Sequence, residues 1–198
     1  EDDFPASLLG YKVGRIVGDD IPYFSGIRYE EDELKSLGAA MAATGSVAMY
    51  HIENITPEWD DFSTDGLETI TITEEDIEEI KKELVYGSEP EVIVLGCPHL
   101  SAKELEYVSE ILGDKEPQDG PDLLVYTSRY VKDQVPEAVK NIERFGEIIT
   151  DTCMVVSPLE EKYDIAATNS GKASAYLPKL TDQKVIYADI KTLLEMIA

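Results

Sequence analysis

Short apolar segments alternate with longer amphipathic segments along the second half of the chain. The short segments are typical of buried strands, and the longer ones have the apolar spacing of helices. Strands are predicted over residues 68–72, 91–95 (continuing to 96), 123–126, 147–149, 164–167 and 184–187. Helices are predicted over residues 73–84, 101–112 and 136–145, and again from residues 172 and 189. This alternation predicts an α/β fold in which helices cover a mostly parallel sheet.

The first part of the chain has a different pattern. Residues 1–30 are rich in Gly, Pro and Tyr, which predicts irregular structure with one short strand. A helix, a strand and a polar loop are then predicted over residues 31–43, 46–52 and 53–66. We therefore expect residues 1–66 to form an irregular N-terminal segment, whose helix and strand pack on the core. Residues 67–198 are expected to form the α/β domain that carries the candidate chemistry.

The charge of the chain limits its partners. It has 198 residues, of which 17 are basic and 41 acidic, so its formal net charge is -24. Such a surface repels phosphate backbones and anionic membranes, so neither nucleic acid nor a membrane is an expected partner. A small anionic substrate is still compatible, because local cations and helix N-termini outweigh the overall field at short range.

Cysteine usage and the start of the chain bear on its setting. Two cysteines are too few for a disulfide framework, which predicts a reducing, cytoplasmic setting. No apolar run is long enough to span a membrane, and the first residues lack the features of a signal peptide. The chain does not begin with Met, so we expect either processing or a piece of a longer protein.

Small polar or sulfur-bearing groups follow several of the predicted strands. In a parallel sheet the ligand site lies beyond the carboxyl ends of the strands, so groups that follow different strands meet at one edge. The segments are Gly96-Cys97-Pro98-His99, Thr127-Ser128-Arg129, Asp151-Thr152-Cys153 and Asn169-Ser170-Gly171-Lys172. The sequence therefore predicts one chemical edge that includes both cysteines.

The residue pattern leaves the role of the two cysteines open. Cys97 and Cys153 could be buried structural thiols, nucleophiles, a redox pair or ligands of a metal cluster. A nucleophile needs a base, and the chain offers His99 and His51. A redox pair is usually Cys-X-X-Cys, which is absent from this sequence. A cluster needs at least one further ligand, which this chain does not supply as cysteine.

A second candidate feature is the anion cradle formed by residues 168–172. Asn169 and Ser170 offer side-chain donors, Gly171 allows close backbone approach, and Lys172 adds a positive charge at a helix start. The segment is not a Walker loop, because Ala166 stands where that motif has its first glycine. The alternative is an ordinary helix N-cap followed by a solvated lysine.

Four ordered segments resemble the large subunit of the aconitase X family. They cover residues 37–51, 95–100, 151–158 and 167–173, and residues 9–18 resemble the same family. The resemblance extends over nearly the whole chain and implies a fold like the aconitase catalytic core. It also implies that this chain is the C-terminal half of a large subunit, whose N-terminal half and a small subunit are the expected partners.

The resemblance further implies a dehydratase with an iron–sulfur cluster. Cys97 and Cys153 would be two of its three cysteine ligands, with the third outside this chain. The expected substrate is a hydroxy acid, mevalonate 5-phosphate as in archaeal members, or alternatively hydroxyproline as in bacterial relatives. The candidate substrate-binding residues are Ser128, Arg129, Asn169, Ser170, Lys172, Ser46 and His99. The catalytic base is not identified.

Two rival hypotheses stand beside this one. The chain could be an α/β ligand-binding or interaction module in which both cysteines are structural. It could also be a cysteine-nucleophile enzyme that uses His99 or His51 as its base.

Overall fold

A computed structural model describes residues 4–85 and 89–198 of the chain. These residues form two compact units, Glu1–Glu83 and Leu84–Ala198. The predicted boundary after residue 66 lies inside the first unit, which keeps residues 67–83 with the N-terminal region. None of the helices in the described ranges is long and apolar enough to cross a membrane.

The first unit is mainly helical. Its elements are α1 (Ala6–Val17), β1 (Tyr23–Phe24), α2 (Glu31–Gly45), β2 (His51–Ile52) and α3 (Glu74–Glu83). The two short strands pair in parallel, with Tyr23 opposite His51. Leu9 and Val13 of α1 share a buried cluster with Leu37 and Met41 of α2, so the two longest helices supply most of this core.

Helix α1 contradicts the prediction that residues 1–30 are irregular. Its Gly10 and Gly14 suggest helix breaks, because glycine destabilises an isolated helix. In the structure they are contact points with α2. A Cβ atom at position 10 would lie 2.4 Å from the Leu37 carbonyl oxygen, and one at position 14 would lie 2.1 Å from Thr44 Oγ1. The close packing of α1 against α2 offsets the free-energy cost of placing glycine inside a helix.

Other predictions for the first unit were confirmed in part. The helix predicted from residue 31 is present and extends to Gly45. The strand predicted over 46–52 is reduced to His51–Ile52, and the strand predicted over 68–72 is wrong. Thr73 and Asp76 form the predicted reciprocal cap of α3, with Thr73 N donating to Asp76 Oδ2 at 2.9 Å.

The second unit confirms the predicted fold class, with a fully parallel five-stranded sheet in the order β5-β4-β3-β6-β7. The strands are β3 (Val92–Leu100), β4 (Asp122–Thr127), β5 (Glu147–Thr150), β6 (Ile165–Thr168) and β7 (Lys184–Tyr187). The helices are α4 (Ala102–Leu112), α5 (Arg129–Gln134), α6 (Pro136–Ile142), α7 (Gly171–Leu180) and α8 (Ile190–Leu194). Helix α5 was not predicted, and the helix predicted over 136–145 ends at Ile142.

Successive side chains of β3 pack in two different hydrophobic clusters, one on each face of the sheet. Ile93 and Leu95 of β3 pack in one buried cluster with Leu105 of α4, whereas Val92 and Val94 pack in another with Leu177 of α7. This alternation follows from strand geometry, because neighbouring side chains point to opposite faces of a sheet. The sheet is therefore covered on both faces, as a parallel sheet requires.

Candidate active site

The sheet has one point at which the order of its strands reverses. From β3 the chain adds β4 and β5 on one side, then returns to place β6 and β7 on the other side. The loops that leave β3 and β6 therefore run in opposite directions and open a crevice at the carboxyl end of the sheet. Cys97 follows the regular part of β3, and Ser170 follows β6.

Cys97 lies in an interruption of β3, which corrects the expectation that it follows the strand. Pairing with β4 is regular up to Leu95 opposite Val125 and resumes with a shifted register at Leu100 opposite Thr127. Gly96 has φ +99°, and the Cys97–Pro98 peptide bond is cis.

Ser170 joins the loop after β6 to the loop that carries Cys97. Its hydroxyl donates to the carbonyl oxygen of Cys97 and accepts the Ala173 N–H at 3.0 Å. Ser170 is thus the N-cap of α7 and a link to Cys97 at the same time. Its side chain is buried, so water is not available to replace either contact.

Ser170→Ala should lower the free energy of unfolding by about 2 kcal/mol or more, because it removes a cap and leaves the buried Cys97 carbonyl unpaired. Chemical denaturation of the full-length protein measures this change. Ser128→Ala is the matched control, since Ser128 caps α5 by accepting the Val131 N–H at 3.1 Å. We expect Ser128→Ala to lower the free energy of unfolding by about 1 kcal/mol. Equal losses in the two variants would show that the link to Cys97 contributes nothing.

Cys153 lies in the loop that follows β5, and its sulfur and carbonyl both accept hydrogen bonds. The Val155 N–H donates to Cys153 Sγ at 3.4 Å. The carbonyl oxygen accepts from the backbone N–H of Ser157 and from its hydroxyl, both at 3.0 Å. The chain therefore folds tightly around Cys153, and a backbone donor already points at its sulfur.

His99 holds the two cysteine-bearing loops together. Its ring Nε2 lies 2.6 Å from the carbonyl oxygen of Thr152, so this nitrogen carries the proton and donates. Thr152 directly precedes Cys153. The sequence placed His99 at the chemical edge as a substrate ligand or a base, and the structure shows it as a contact between the segments of Cys97 and Cys153.

The thiols of Cys97 and Cys153 are both free. Burial raises the pKa of Cys97 to about 11, the Lys172 ammonium and Ser170 oppose this shift, and the charge of Cys153 adds to it. At neutral pH an unligated Cys97 is thus a protonated thiol. A protonated thiol is a weak nucleophile, which argues against the cysteine-nucleophile hypothesis for this residue.

The other predicted residues at this edge lie beside the two loops. Lys172 is half-buried at the start of α7, with its Nζ 6.0 Å from the centroid of the Tyr176 ring. Asn169 is half-buried just before it. Arg129 is 76% exposed and forms an ion pair with Asp151 at 3.1 Å. This edge of the sheet therefore has a half-buried cation, Lys172, and an exposed cation, Arg129, which is paired with Asp151.

Two of the predicted residues lie in the first unit. Ser46 ends α2 in the left-handed conformation, with φ 66°. His51 is buried in β2, and its ring centroid lies 4.7 Å from that of Phe62. Within residues 4–85 and 89–198, no three His, Cys, Asp or Glu side chains form a group that could hold a metal ion.

Sequence reasoning missed Tyr126, which lies on β4 between the strands that lead to the two cysteines. Its side chain is fully buried in the cluster that contains Cys97 and Met154. Among the described residues its hydroxyl has no hydrogen-bond partner of good geometry. Tyr126 stands at the end of an apolar run, so its sequence context indicates core packing and nothing more.

Comparison with known proteins assigns both units to one family. The sequence model of the aconitase X second domain matches residues 1–82, and that of the aconitase X third domain matches residues 90–198. The crystal structure of Thermococcus kodakaraensis aconitase X in its holo-form superposes with a TM-score of 0.89 at 38% sequence identity. That match covers 98% of this chain and 51% of the solved chain.

Curated relatives agree with this assignment. The phosphomevalonate dehydratase large subunits of Methanosarcina mazei and Methanocaldococcus jannaschii are 40% and 43% identical to this chain, over 96% and 94% of its length. A cis-3-hydroxy-L-proline dehydratase of Hypocrea jecorina is 32% identical over 96% of this chain. The chain spans 47% and 48% of the first two proteins, about half of their length. The chain therefore belongs to the aconitase X family and corresponds to its second and third domains.

Proposed function

We propose that this chain is part of an iron–sulfur dehydratase, a hydro-lyase that removes water from mevalonate 5-phosphate. One observation carries the proposal. The loop that carries Cys97 contacts the loop that carries Cys153, because His99 Nε2 lies 2.6 Å from the Thr152 carbonyl oxygen, and both loops follow strands whose carboxyl ends are where a sheet of this kind binds its ligand. The similarity to phosphomevalonate dehydratase large subunits supports the choice of reaction.

The two thiols fit a cluster site but do not complete one. Thiolate sulfur is the usual ligand of iron–sulfur clusters, and ligation deprotonates a thiol that burial otherwise keeps neutral. The chain has no third cysteine, so the proposal requires a third ligand from outside residues 1–198. The Val155 N–H donated to Cys153 Sγ is also suited to a ligating thiolate, which accepts hydrogen bonds more strongly than a thiol does.

The residues around the crevice have separable tasks in this proposal. When bound, the cluster supplies a Lewis acid that makes the substrate hydroxyl a better leaving group. Lys172 and Asn169 hold substrate carboxylate or phosphate oxygens, and the N-terminus of α7 favours the same negative charge. Ser170, whose hydroxyl is committed to Cys97 and Ala173, keeps this loop in place.

The remaining predicted ligands contribute from the rim. Ser128 caps α5, and the exposed Arg129 can turn from Asp151 toward a phosphate group that enters the crevice. Ser46 and His99 stay candidates, His99 chiefly through its contact with the loop of Cys153. Chains named large subunit imply a small one, so the partners proposed are a small subunit and the rest of the large subunit. The proton-abstracting base is proposed to come from the small subunit.

Mevalonate 5-phosphate is favoured over hydroxyproline by one specific difference. The substrate phosphate needs an additional anion site, and the proposal assigns this task to the half-buried Lys172 together with the exposed Arg129 at the rim. The relatives named for hydroxyproline are also less similar, at 32% and 29% identity.

Anaerobic reconstitution of the full-length large subunit with its small subunit tests this proposal. We expect bound iron and sulfide, visible absorption, and dehydration of mevalonate 5-phosphate but not of cis-3-hydroxy-L-proline. Turnover of hydroxyproline alone would favour the alternative substrate. Absence of both cluster and turnover would favour the ligand-binding module with structural cysteines.

Lys172→Ala should raise KM for mevalonate 5-phosphate or lower kcat by at least about tenfold, because it removes the half-buried cation of the proposed substrate site. A tenfold change corresponds to a loss of about 1.4 kcal/mol of transition-state stabilisation. Steady-state kinetics of the reconstituted complex measures the effect. Lys179→Ala is the matched control, since Lys179 lies in the last turn of the same helix and is exposed. Unchanged kinetics in Lys172→Ala would remove this residue from the substrate site.

A further inference from the structure

Residues 67–72 form an extended segment in the first unit, shortly before α3, and we call it the edge segment. Its sequence, Leu-Glu-Thr-Ile-Thr-Ile, has the alternation and the Thr and Ile content that are typical of a β-strand. Leu67 is 59% exposed and Ile70 is 49% exposed, whereas Ile72 packs on the core of this unit. The edge segment therefore has the composition of a strand but leaves two of its apolar side chains largely in contact with solvent.

The backbone of the edge segment is also unpaired. Among the described residues, no N–H or carbonyl group of residues 68–72 takes part in a hydrogen bond, although the Leu67 N–H donates to the Thr64 carbonyl oxygen at 3.2 Å. A row of free backbone groups beside apolar side chains is a template for another strand, so native proteins usually cover such a row. These features fit β-augmentation, in which main-chain hydrogen bonds to an added strand supply the affinity.

The charge around the edge segment restricts what can pair with it. Residues 53–79 contain 11 acidic residues and no basic residue. Asp65 and Glu68 are exposed and form no ion pair with any cation in residues 4–85 and 89–198. A second copy of this chain would bring the same acidic surface to the contact, and opposed like charges are destabilising. The partner that fits is a strand in which apolar side chains alternate with lysine or arginine.

The first domain of the large subunit is the partner that the remaining observations favour. The edge segment lies in the region that matches the second domain of the family, and the chain spans about half the length of the related large subunits. A partner in the same polypeptide meets the segment at an effective concentration of about millimolar, because it does not have to diffuse from elsewhere. It also covers the exposed backbone as soon as the polypeptide folds, which limits aggregation.

We propose that the edge segment docks a strand of the first domain through main-chain hydrogen bonds. Ile70 lies at the centre of this contact, and Glu68 faces a basic side chain of the docked strand. The interaction depends on the family assignment and not on the iron–sulfur chemistry, so it can fail or hold independently of the proposed dehydratase.

Hydrogen–deuterium exchange of the full-length large subunit, resolved to single residues, tests this interaction. We expect every second amide within residues 68–72 to exchange at least about tenfold slower than in an unstructured peptide, because a strand directs alternate N–H groups toward a given neighbour. The intervening amides should exchange fast and are the internal reference. The protection should depend neither on the protein concentration nor on the small subunit.

Two variants locate the partner of the edge segment. Ile70→Asp should abolish the protection of residues 68–72 and speed the exchange of one strand of the first domain by at least about tenfold, because it places a charge in an apolar contact. Leu180→Asp is the matched control, since Leu180 is 64% exposed at the end of α7 in the second unit. This control should leave the exchange of both regions unchanged.

Four other results would overturn the proposal. Fast exchange throughout residues 68–72 of the wild-type protein would show that nothing pairs with them, and uniform protection of every amide would indicate burial without strand pairing. Protection that requires the small subunit or a high protein concentration would assign the segment to that subunit or to a second copy. Loss of protection in Ile70→Asp without a change in the first domain would exclude that domain as the partner.

Discussion

Cys97→Ser and Cys153→Ser should each lower the iron content of the reconstituted full-length protein by at least about tenfold, since a structural ligand contributes more than an outer contact whose loss already costs that much. Serine keeps the size of the side chain but supplies a hydroxyl in place of a soft thiolate. Iron and sulfide assays, together with visible absorption, measure the loss.

The control for this experiment separates ligation from packing. Ser157→Ala removes the hydroxyl that donates to the Cys153 carbonyl at 3.0 Å but leaves both thiols. It should retain most of the iron. Wild-type iron content in both cysteine variants would eliminate the cluster proposal, and an unchanged content in one of them would eliminate that residue as a ligand.

Gly96→Ala should destabilise the full-length protein by more than about 4 kcal/mol, which is exceptional for one methyl group. Position 96 has φ +99°, and its Cβ atom would lie 2.1 Å from the backbone oxygen of Tyr126. The strands β3 and β4 cannot easily move apart to make room for this atom, because they are paired on both sides of Gly96. Chemical denaturation, or loss of soluble protein, measures the effect.

Gly113→Ala is the matched control for the effect of backbone conformation alone. Gly113 also has a positive φ, 52°, but its Cβ atom would meet nothing closer than 3.6 Å. This variant should cost about 1–3 kcal/mol, because φ 52° with ψ -136° is a conformation that residues with a side chain rarely adopt. Similar losses in the free energy of unfolding at the two positions would show that the backbone accommodates a Cβ atom beside the Tyr126 oxygen without any cost in stability.

The sequence was most informative where structure is decided locally. Ser101 and Glu104 were recognised as a capping box, and the structure has both bonds, at 3.1 and 2.8 Å. The five strands of the second unit were recognised because buried parallel strands are short and continuously apolar. The strand predicted over 68–72 was wrong because alternation alone does not supply a neighbouring strand; Ile70 is 49% exposed.

The site could be located but not assembled from the sequence. That both cysteines lie at one edge followed from their places after predicted strands. The contacts that fix them, Ser170 with Cys97 and His99 with Thr152, depend on β6 returning beside β3. The order of the strands depends on the whole fold and cannot be read from any one segment.

Tyr126 was missed for a related reason, because the environment of its hydroxyl depends on which strands lie on either side of β4.

The return of β6 beside β3 also bears on how the protein is made. Ser170 and Cys97 are 73 residues apart, so their contact closes a long loop that contains the strands β4, β5 and β6 and the helices α4, α5 and α6. Contacts of this kind are slow to form because the entropy of loop closure is lost before they add stability. The contact between Ser170 and the Cys97 loop is thus expected to form late in folding, after synthesis has passed residue 170. If Cys97 ligates the proposed cluster, the metal is then acquired only after this part of the chain has folded.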